Sequence, residues 1–353
     1  MAIKRRRSRI IKVGGIPIGG GNPVVIQSMT KAGTSDSEKV IRQIIDLENA
    51  GCQIVRLALK EGGDIKAFKK IKSRVNLPLV ADIHFNYKLA LMAIDSGADK
   101  IRLNPGNIYK KEEVRAVVSA LKSARIPLRI GLNSGSVEGA GLNKMPMPDK
   151  LVKSALVYIK MVEGFKFHDI IVSLKASNVI DTVSAYRKFA SACDYPLHLG
   201  VTATGSPYAG AIKSSIAIGA LLLEGIGDTI RVSLTDKPVK EVYAAKVILE
   251  SLGLRSFGPE IISCPTCGRC EVNLVKLVGD FENKLSSLKV KPVKIALMGC
   301  VVNGPGEAKE ADIGVAFGKK DGLLFKHGKA IKKISFSKCS DILLKELKNN
   351  ALV

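Results

Sequence analysis

Four cysteines cluster toward the C-terminal end of the chain. Cys264, Cys267 and Cys270 lie in Cys264-Pro265-Thr266-Cys267-Gly268-Arg269-Cys270, and Cys300 follows Met298-Gly299. A Cys-x-x-Cys pair with further distant thiols is a soft-metal signal, for zinc or for an iron–sulfur cluster. Spacing alone offers Cys264, Cys267, Cys270 and Cys300 as four thiolate ligands. A structural zinc module usually adds a second Cys-x-x-Cys or a histidine pair, and neither is present. The run Gly299-Cys300-Val301-Val302-Asn303-Gly304-Pro305-Gly306-Glu307 instead supplies one thiol, a glycine-rich turn and a carboxylate.

A second group is equally unusual. Arginines interrupt apolar runs at Ile54-Val55-Arg56-Leu57, Ile101-Arg102-Leu103, Leu128-Arg129-Ile130 and Ile230-Arg231-Val232. Arg is almost never fully buried without a partner. Guanidinium forks match phosphate oxygens in bidentate fashion, so a diphosphate is one counter-ion that would satisfy them. The competing reading is internal ion pairing, with Asp82, Asp99, Asp228 and Glu224 as the carboxylates. Polar residues also recur where apolar runs end: Asp82 and His84, Asn104, Asn133, Lys175 and Thr202.

These residues need elements that bring them together. Strand-like runs over 24–29, 54–59, 79–84, 100–104, 128–133, 170–175, 197–202 and 229–234 alternate with amphipathic stretches such as 37–50, 86–96, 111–123, 152–164 and 239–252. Several strands are nearly continuous apolar runs, as in parallel strands buried on both faces. Eight such units predict an α/β fold, a (β/α)8 TIM barrel, whose functional residues lie at the C-terminal strand ends. Every polar strand end named above falls there. After Gly258-Pro259 the repeat stops and Cys, Gly and Lys become frequent. The sequence therefore divides into a barrel over 1–258 and a small α+β domain over 259–353.

The net charge of +23 favours anionic partners: nucleic acid, a membrane surface, phosphorylated substrates or acidic proteins. Aromatic residues make up 5%, a thin supply for base stacking, so no nucleic-acid partner is expected. No apolar run reaches membrane-spanning length and the basic start lacks the apolar core of a secretory leader. No membrane association and a cytoplasmic location are the expectations. Clustered cysteines in such a chain point to metal before disulfides.

The chain resembles the bacterial 4-hydroxy-3-methylbut-2-enyl diphosphate synthase family along nearly its whole length. The resemblance rests on residues 22–30 (NPVVIQSMT), 81–85 (ADIHF), 99–107 (DKIRLNPGN), 126–136 (IPLRIGLNSGS), 171–177 (IVSLKAS), 224–235 (EGIGDTIRVSLT), 264–269 (CPTCGR) and 298–308 (MGCVVNGPGEA). It implies a barrel followed by a [4Fe-4S] domain, in a homodimer whose active sites join one subunit's barrel to the other's cluster domain. It implies cluster ligation by Cys264, Cys267, Cys300 and Glu307, with Cys270 a neighbour. It also implies two-electron reductive opening of a cyclic diphosphate, with reduced flavodoxin or ferredoxin as donor. In that reading Arg56, Arg102, Arg129 and Lys175 hold the diphosphate, Asn104 and Asn133 hydrogen-bond nearby, and Asp82 and His84 position the carbon skeleton. One motif departs from the family: in residues 199–205 (LGVTATG), Ala203 stands where the family usually has an acidic proton-donor candidate. A smaller departure is the less polar Lys31-Ala32-Gly33-Thr34. Two other readings compete: a pterin-binding barrel of the dihydropteroate-synthase type, which leaves the cysteines without purpose, and a basic nucleic-acid-binding protein with a zinc module, which leaves the strand arginines without one.

Overall fold

The computed structural model describes residues 3–137, 144–202, 205–286, 288 and 291–349. The chain divides into two compact units, Met1–Arg255 and Ser256–Val353.

In the first unit a short antiparallel hairpin, β1 (Ile11–Val13) and β2 (Ile16–Ile18), precedes eight parallel strands. These are β3 (Val25–Met29), β4 (Ile54–Leu59), β5 (Leu79–Ile83), β6 (Lys100–Leu103), β7 (Leu128–Asn133), β8 (Ile170–Lys175), β9 (His198–Leu199) and β10 (Thr229–Ile230). Pairing runs β8-β7-β6-β5-β4-β3-β10-β9, and a parallel bridge between Val172 and Leu197 joins β8 to β9, closing the ring. Eight helices alternate with the strands: α1 (Ser37–Asn49), α2 (Gly62–Lys72), α3 (Tyr87–Asp95), α4 (Lys111–Ala124), α5 (Met147–Gly164), α6 (Val179–Ala192), α7 (Pro207–Leu223) and α8 (Pro238–Ser251).

Local chemistry starts and orients these helices. Asp36 caps α1 by accepting from the Lys39 amide at 3.1 Å, and Val40, Ile41, Ile44 and Leu47 form its buried stripe. The expected strands at 197–202 and 229–234 are shorter than predicted. Their ladder continues, with the Arg231 amide donating to the Leu199 carbonyl at 3.0 Å and the Thr202 amide to that of Ala176 at 3.1 Å. Regular pairing stops as the chain reaches the polar mouth, and β5 likewise ends at Ile83, one residue before His84.

At the N-terminal end of the barrel, Ile11, Val13 and Ile18 of the hairpin pack against Val25, Ile54, Val80 and Ile171 at the strand starts. Each fully buried aliphatic side chain of this kind contributes about 1.5–3 kcal/mol. The hairpin closes the floor, leaving the C-terminal end open.

The second unit is a five-stranded sheet ordered β11 (Pro259–Ser263), β12 (Val293–Met298), β13 (Ile313–Phe317), β14 (Asp321–Lys326), β15 (Lys329–Ser335). The first three strands are parallel and the last two antiparallel. Alternation sorts the core onto two faces. Ile295 and Leu297 pack in one core with α9 (Leu274–Ser286) and α11 (Cys339–Asn349), while Ala296 and Met298 pack with Ala308 of α10 (Gly304–Lys309).

Candidate active site

At the open end of the barrel, a cavity of about 190 Å³ is lined by Arg56, Asp82, His84, Arg102, Arg129, Asn133, Lys175 and Arg231, with Met29, Ser173, Thr202 and Ser233 between them. All the predicted substrate-binding residues except Asn104 line it. Asn104 is buried in the loop after β6, where its amide nitrogen donates to Ser136 Oγ at 3.0 Å and its oxygen accepts from the Gly106 amide at 3.2 Å. It ties two rim loops together.

Asp82 is the central anion. Its Oδ1 accepts from Arg102 Nη1 at 3.0 Å, and its Oδ2 lies 3.6 Å from Arg56 Nε and 3.5 Å from His84 Nε2. Burial favours the neutral acid, but Arg56, Arg102, the His84 contact and Arg129 outweigh it and hold Asp82 well below the usual carboxylate range. Arg102 is also fixed by donating from Nη2 to the Gly131 carbonyl at 2.7 Å.

Of the four carboxylates considered as internal partners, Asp82 alone pairs with the strand arginines. Asp99 pairs with Lys72, Asp228 with Arg5 and Arg6, and Glu224 with Arg187. A fifth carboxylate, Glu241 of α8, was missed. It is 1% exposed and lies 3.3 Å from Arg231 Nη2 and 3.0 Å from Lys31 Nζ, and it accepts from Ser28 Oγ at 3.1 Å and the Leu234 amide at 3.1 Å. An acid in the first turn of a helix is ordinarily read as a dipole partner, so nothing in the sequence marked Glu241 as the anchor of a strand arginine.

Cations still outnumber carboxylates at the mouth, where Arg56, Arg102, Arg129, Lys175 and Arg231 face Asp82 and Glu241. Arg129 is 1% exposed, and its Nε and Nη1 have no hydrogen-bond partner among the described residues. Burial lowers its proton affinity, and Arg56 and Arg102 lower it further. Burial also brings Arg56 down to about 10, in spite of Asp82. Lys175 is lowered well below the usual lysine range by burial and then by Arg56, Arg231, Arg129 and Arg102. A pocket so arranged has a vacancy for negative charge and rigid donors aimed at it.

Thr202 donates to the Ala176 carbonyl at 3.0 Å on the rim. Ala203, at the family's acidic position, lies outside the described residues. A larger cavity, about 550 Å³, lies elsewhere on the barrel against Arg6, Arg9 and Tyr195. Two of its arginines are already engaged, Arg9 with Asp194 at 2.8 Å and Arg6 with the carbonyls of Cys193 and Tyr195. Charge and convergence therefore favour the smaller, deeper cup.

In the second unit no cysteine is in a disulfide. Cys264 and Cys270 sit against Gly299: a Cβ built there would fall 3.5 Å from the Cys264 sulfur and 2.3 Å from that of Cys270. Cys270 Sγ contacts the Val272 carbonyl at 3.2 Å, and Cys264 Sγ accepts from the Gly299 amide at 3.3 Å. Cys267 is exposed, as is Glu307 in the first turn of α10. Main-chain amides of Asn303 and Val302, with a lesser one from Gly304 and the charge of Arg269, lower the Cys300 thiol despite burial. Among the described residues no three His, Cys, Asp or Glu side chains already form a metal-holding group. The donor set nonetheless fits a thiolate-bound cluster, with unbridged cysteines on two loops, amides pointing at two sulfurs, and a carboxylate on an adjacent helix.

The sequence matches the GcpE TIM-barrel domain over residues 8–246 and the GcpE protein C-terminal domain over residues 260–349. The 4-hydroxy-3-methylbut-2-en-1-yl diphosphate synthase (flavodoxin) of Fusobacterium nucleatum is 54% identical over 345 residues, covering 97% of this chain and 96% of that protein. The protein of the same name from Thermodesulfovibrio yellowstonii is 53% identical, covering 98% of this chain and 99% of its own length. Among solved structures, dihydropteroate synthase from Stenotrophomonas maltophilia superposes with a TM-score of 0.55 at 12% identity, covering 70% of this chain and 100% of its own. That likeness speaks for the barrel fold alone. Both halves of the chain are thus accounted for by one family, and the full-length relatives agree: the chain belongs to the GcpE family.

Proposed function

We propose that the chain converts 2-C-methyl-D-erythritol 2,4-cyclodiphosphate to (E)-4-hydroxy-3-methylbut-2-enyl diphosphate by a two-electron reductive ring opening and dehydroxylation. It is an oxidoreductase of isoprenoid synthesis. The observation that carries the reading is the excess of cations in the barrel cup, with Arg129 buried and its Nε and Nη1 without a hydrogen-bond partner among the described residues, on a chain more than 50% identical to enzymes named for this product.

In this reading Arg56, Arg102, Arg129 and Lys175 grip the diphosphate, and Asn133 donates to it from the end of β7. Their positions are set by the strands before substrate arrives, so the phosphate charge freed on ring opening meets donors that need no reorganisation. Asp82 orients Arg56 and Arg102 and, with His84, bounds the carbon skeleton. Arg231, anchored by Glu241, extends the cationic wall. Cys264, Cys267 and Cys300 would hold a [4Fe-4S] cluster with Glu307 as the fourth ligand. A hard carboxylate would bind less firmly than a thiolate, which would make Glu307 the exchangeable ligand. When bound, such a cluster supplies electrons one at a time. Ala203 cannot donate a proton, which leaves Thr202, Thr204 or bound water for the departing hydroxyl.

Reduced flavodoxin is the donor in the relatives' names, and a chain of +23 suits a generally acidic electron carrier of that kind or a ferredoxin. Among the described residues no helix is long and apolar enough to cross a membrane. A cytoplasmic homodimer completes the proposal. Anaerobic turnover of the cyclic diphosphate with reduced flavodoxin tests it. Iron-loaded, redox-active protein that neither binds nor turns over this compound would sink it.

A further inference from the structure

Below the cup lies a layer of polar side chains that the mechanism above does not use. Lys100 is fully buried on β6, two residues before Arg102, so both side chains project to the same face of the strand about 7 Å apart along it. Its Nζ reaches across to Gln27 Oε1 of β3 at 3.2 Å, and it has no carboxylate within ion-pair distance among the described residues. The groups facing it are cationic or neutral: Arg129 of β7, Arg56 of β4, Gln27, and His198 of β9. His198 is fully buried, with Nδ1 2.7 Å from Thr229 Oγ1, and neither its Nε2 nor Gln27 Nε2 has a hydrogen-bond partner among the described residues.

A lysine so placed is charged at the cost of burial and of repulsion from Arg129 and Arg56, and both favour the free amine. His198 is likewise held neutral by burial, then by Arg129, Lys175, Lys100 and Arg56. A polyanion above this layer offsets that positive field. At an effective dielectric of about 20 and a separation of about 8 Å, each added negative charge raises the proton affinity of an amine by about 1.5 pH units.

We propose that Lys100 is a charge-compensating residue for the cup: its neutral amine takes up a proton from solvent when a diphosphate binds, so that binding and protonation are coupled. The step is R-NH2 + H+ → R-NH3+, with no bond to the ligand. Lys100 acts through the field and through Arg129, as a positioning residue that adds positive charge only when a multiply charged anion is present. A singly charged ligand gains less from it, which makes it a determinant of selectivity for diphosphates. The idea rests on the substrate reading above.

The test is calorimetric titration of the full-length protein with the cyclic diphosphate at pH 8, in buffers of different ionisation enthalpy. The slope of apparent heat against buffer enthalpy counts protons taken up. Protonation changes of the ligand and of Lys175 enter wild type and variants alike; His198 feels the charge at position 100, so its share is bracketed by the uncharged Lys100→Met and the charged Lys100→Arg. Wild type should take up about one proton more than Lys100→Met. Lys100→Arg, permanently charged, should match the methionine variant in proton count while binding more tightly than it does, and it serves if the methionine variant fails to fold. Equal proton counts in wild type and both variants overturn the proposal while leaving the substrate assignment intact. Absence of any binding to wild type overturns the assignment and the proposal together.

Discussion

Gly131→Ala adds one methyl group, and its effect can be worked out from the cup. A Cβ at this position would sit 2.5 Å from Arg102 Nε and 3.3 Å from its Cγ and Cζ. These atoms are the middle of the side chain, already fixed at its far end by Asp82 at 3.0 Å and by the Gly131 carbonyl at 2.7 Å. The guanidinium cannot step aside without breaking one of those bonds, and a hydrogen bond to a charged group is worth about 1.5–3 kcal/mol. Losing one such contact to the substrate or to Asp82 weakens diphosphate binding by about 10- to 150-fold. Gly135, four residues later in the turn that follows β7, has nothing within 4 Å of its built Cβ, so Gly135→Ala is the control. Calorimetric affinity for the cyclic diphosphate and anaerobic KM should both shift in Gly131→Ala and stay at wild-type values in Gly135→Ala. Wild-type affinity in both variants would show that Arg102 is not held where the substrate binds.

Other substitutions separate binding from folding. Arg129→Met removes a buried cation with two unpartnered nitrogens, so thermal denaturation should show no loss of stability in the free protein while affinity falls about 100-fold, the scale of one or two charge-assisted bonds. Asp82→Asn should do the opposite and destabilise by about 3–5 kcal/mol in urea, because Arg56 and Arg102 lose their shared carboxylate. Since Asp82 titrates below its unfolded value of about 3.9, its stabilisation is fully present above that value and is lost as pH falls through the depressed folded value; the gap between wild type and Asp82→Asn should therefore be flat from pH 5 to 8 and close only in acid. Cys270→Ser should retain iron and visible absorbance and Cys264→Ser should lose both; loss in the Cys270 variant would move the fourth ligand from Glu307 to Cys270. Ala203→Glu, which restores the family's acid, should raise turnover with reduced flavodoxin, and an unchanged rate would assign proton donation to another group.

The barrel was legible because each strand is a short apolar run and each polar strand end falls on one rim. Arg56, Arg102 and Arg129 could be singled out since a cation inside such a run is anomalous whatever surrounds it. Their partners could not. Asp99 and Asp228 are adjacent in sequence to strand residues yet serve Lys72 and the N-terminal arginines, whereas Glu241, one of the two carboxylates that engage strand arginines, comes from the first turn of α8, which folds back on the end of the strand before it to reach Arg231. Asn104 sits at a strand end like Asn133, but the turn at Pro105-Gly106 bends it toward Ser136. The hairpin β1–β2 escaped notice because strands of three residues fall below the length at which alternation can be read. Its Gly14-Gly15 turn, with φ of 53° and 86°, was the available signal.

That hairpin has a consequence for traffic. With Ile11, Val13 and Ile18 stoppering the base, nothing can pass through the cylinder from end to end, and whatever enters by the rim must leave by the rim. Departing product and arriving substrate then compete for one doorway, so the product diphosphate should inhibit in strict rivalry with substrate. Enlarging the doorway, not lubricating the floor, is where evolution or engineering could change the rate of exchange.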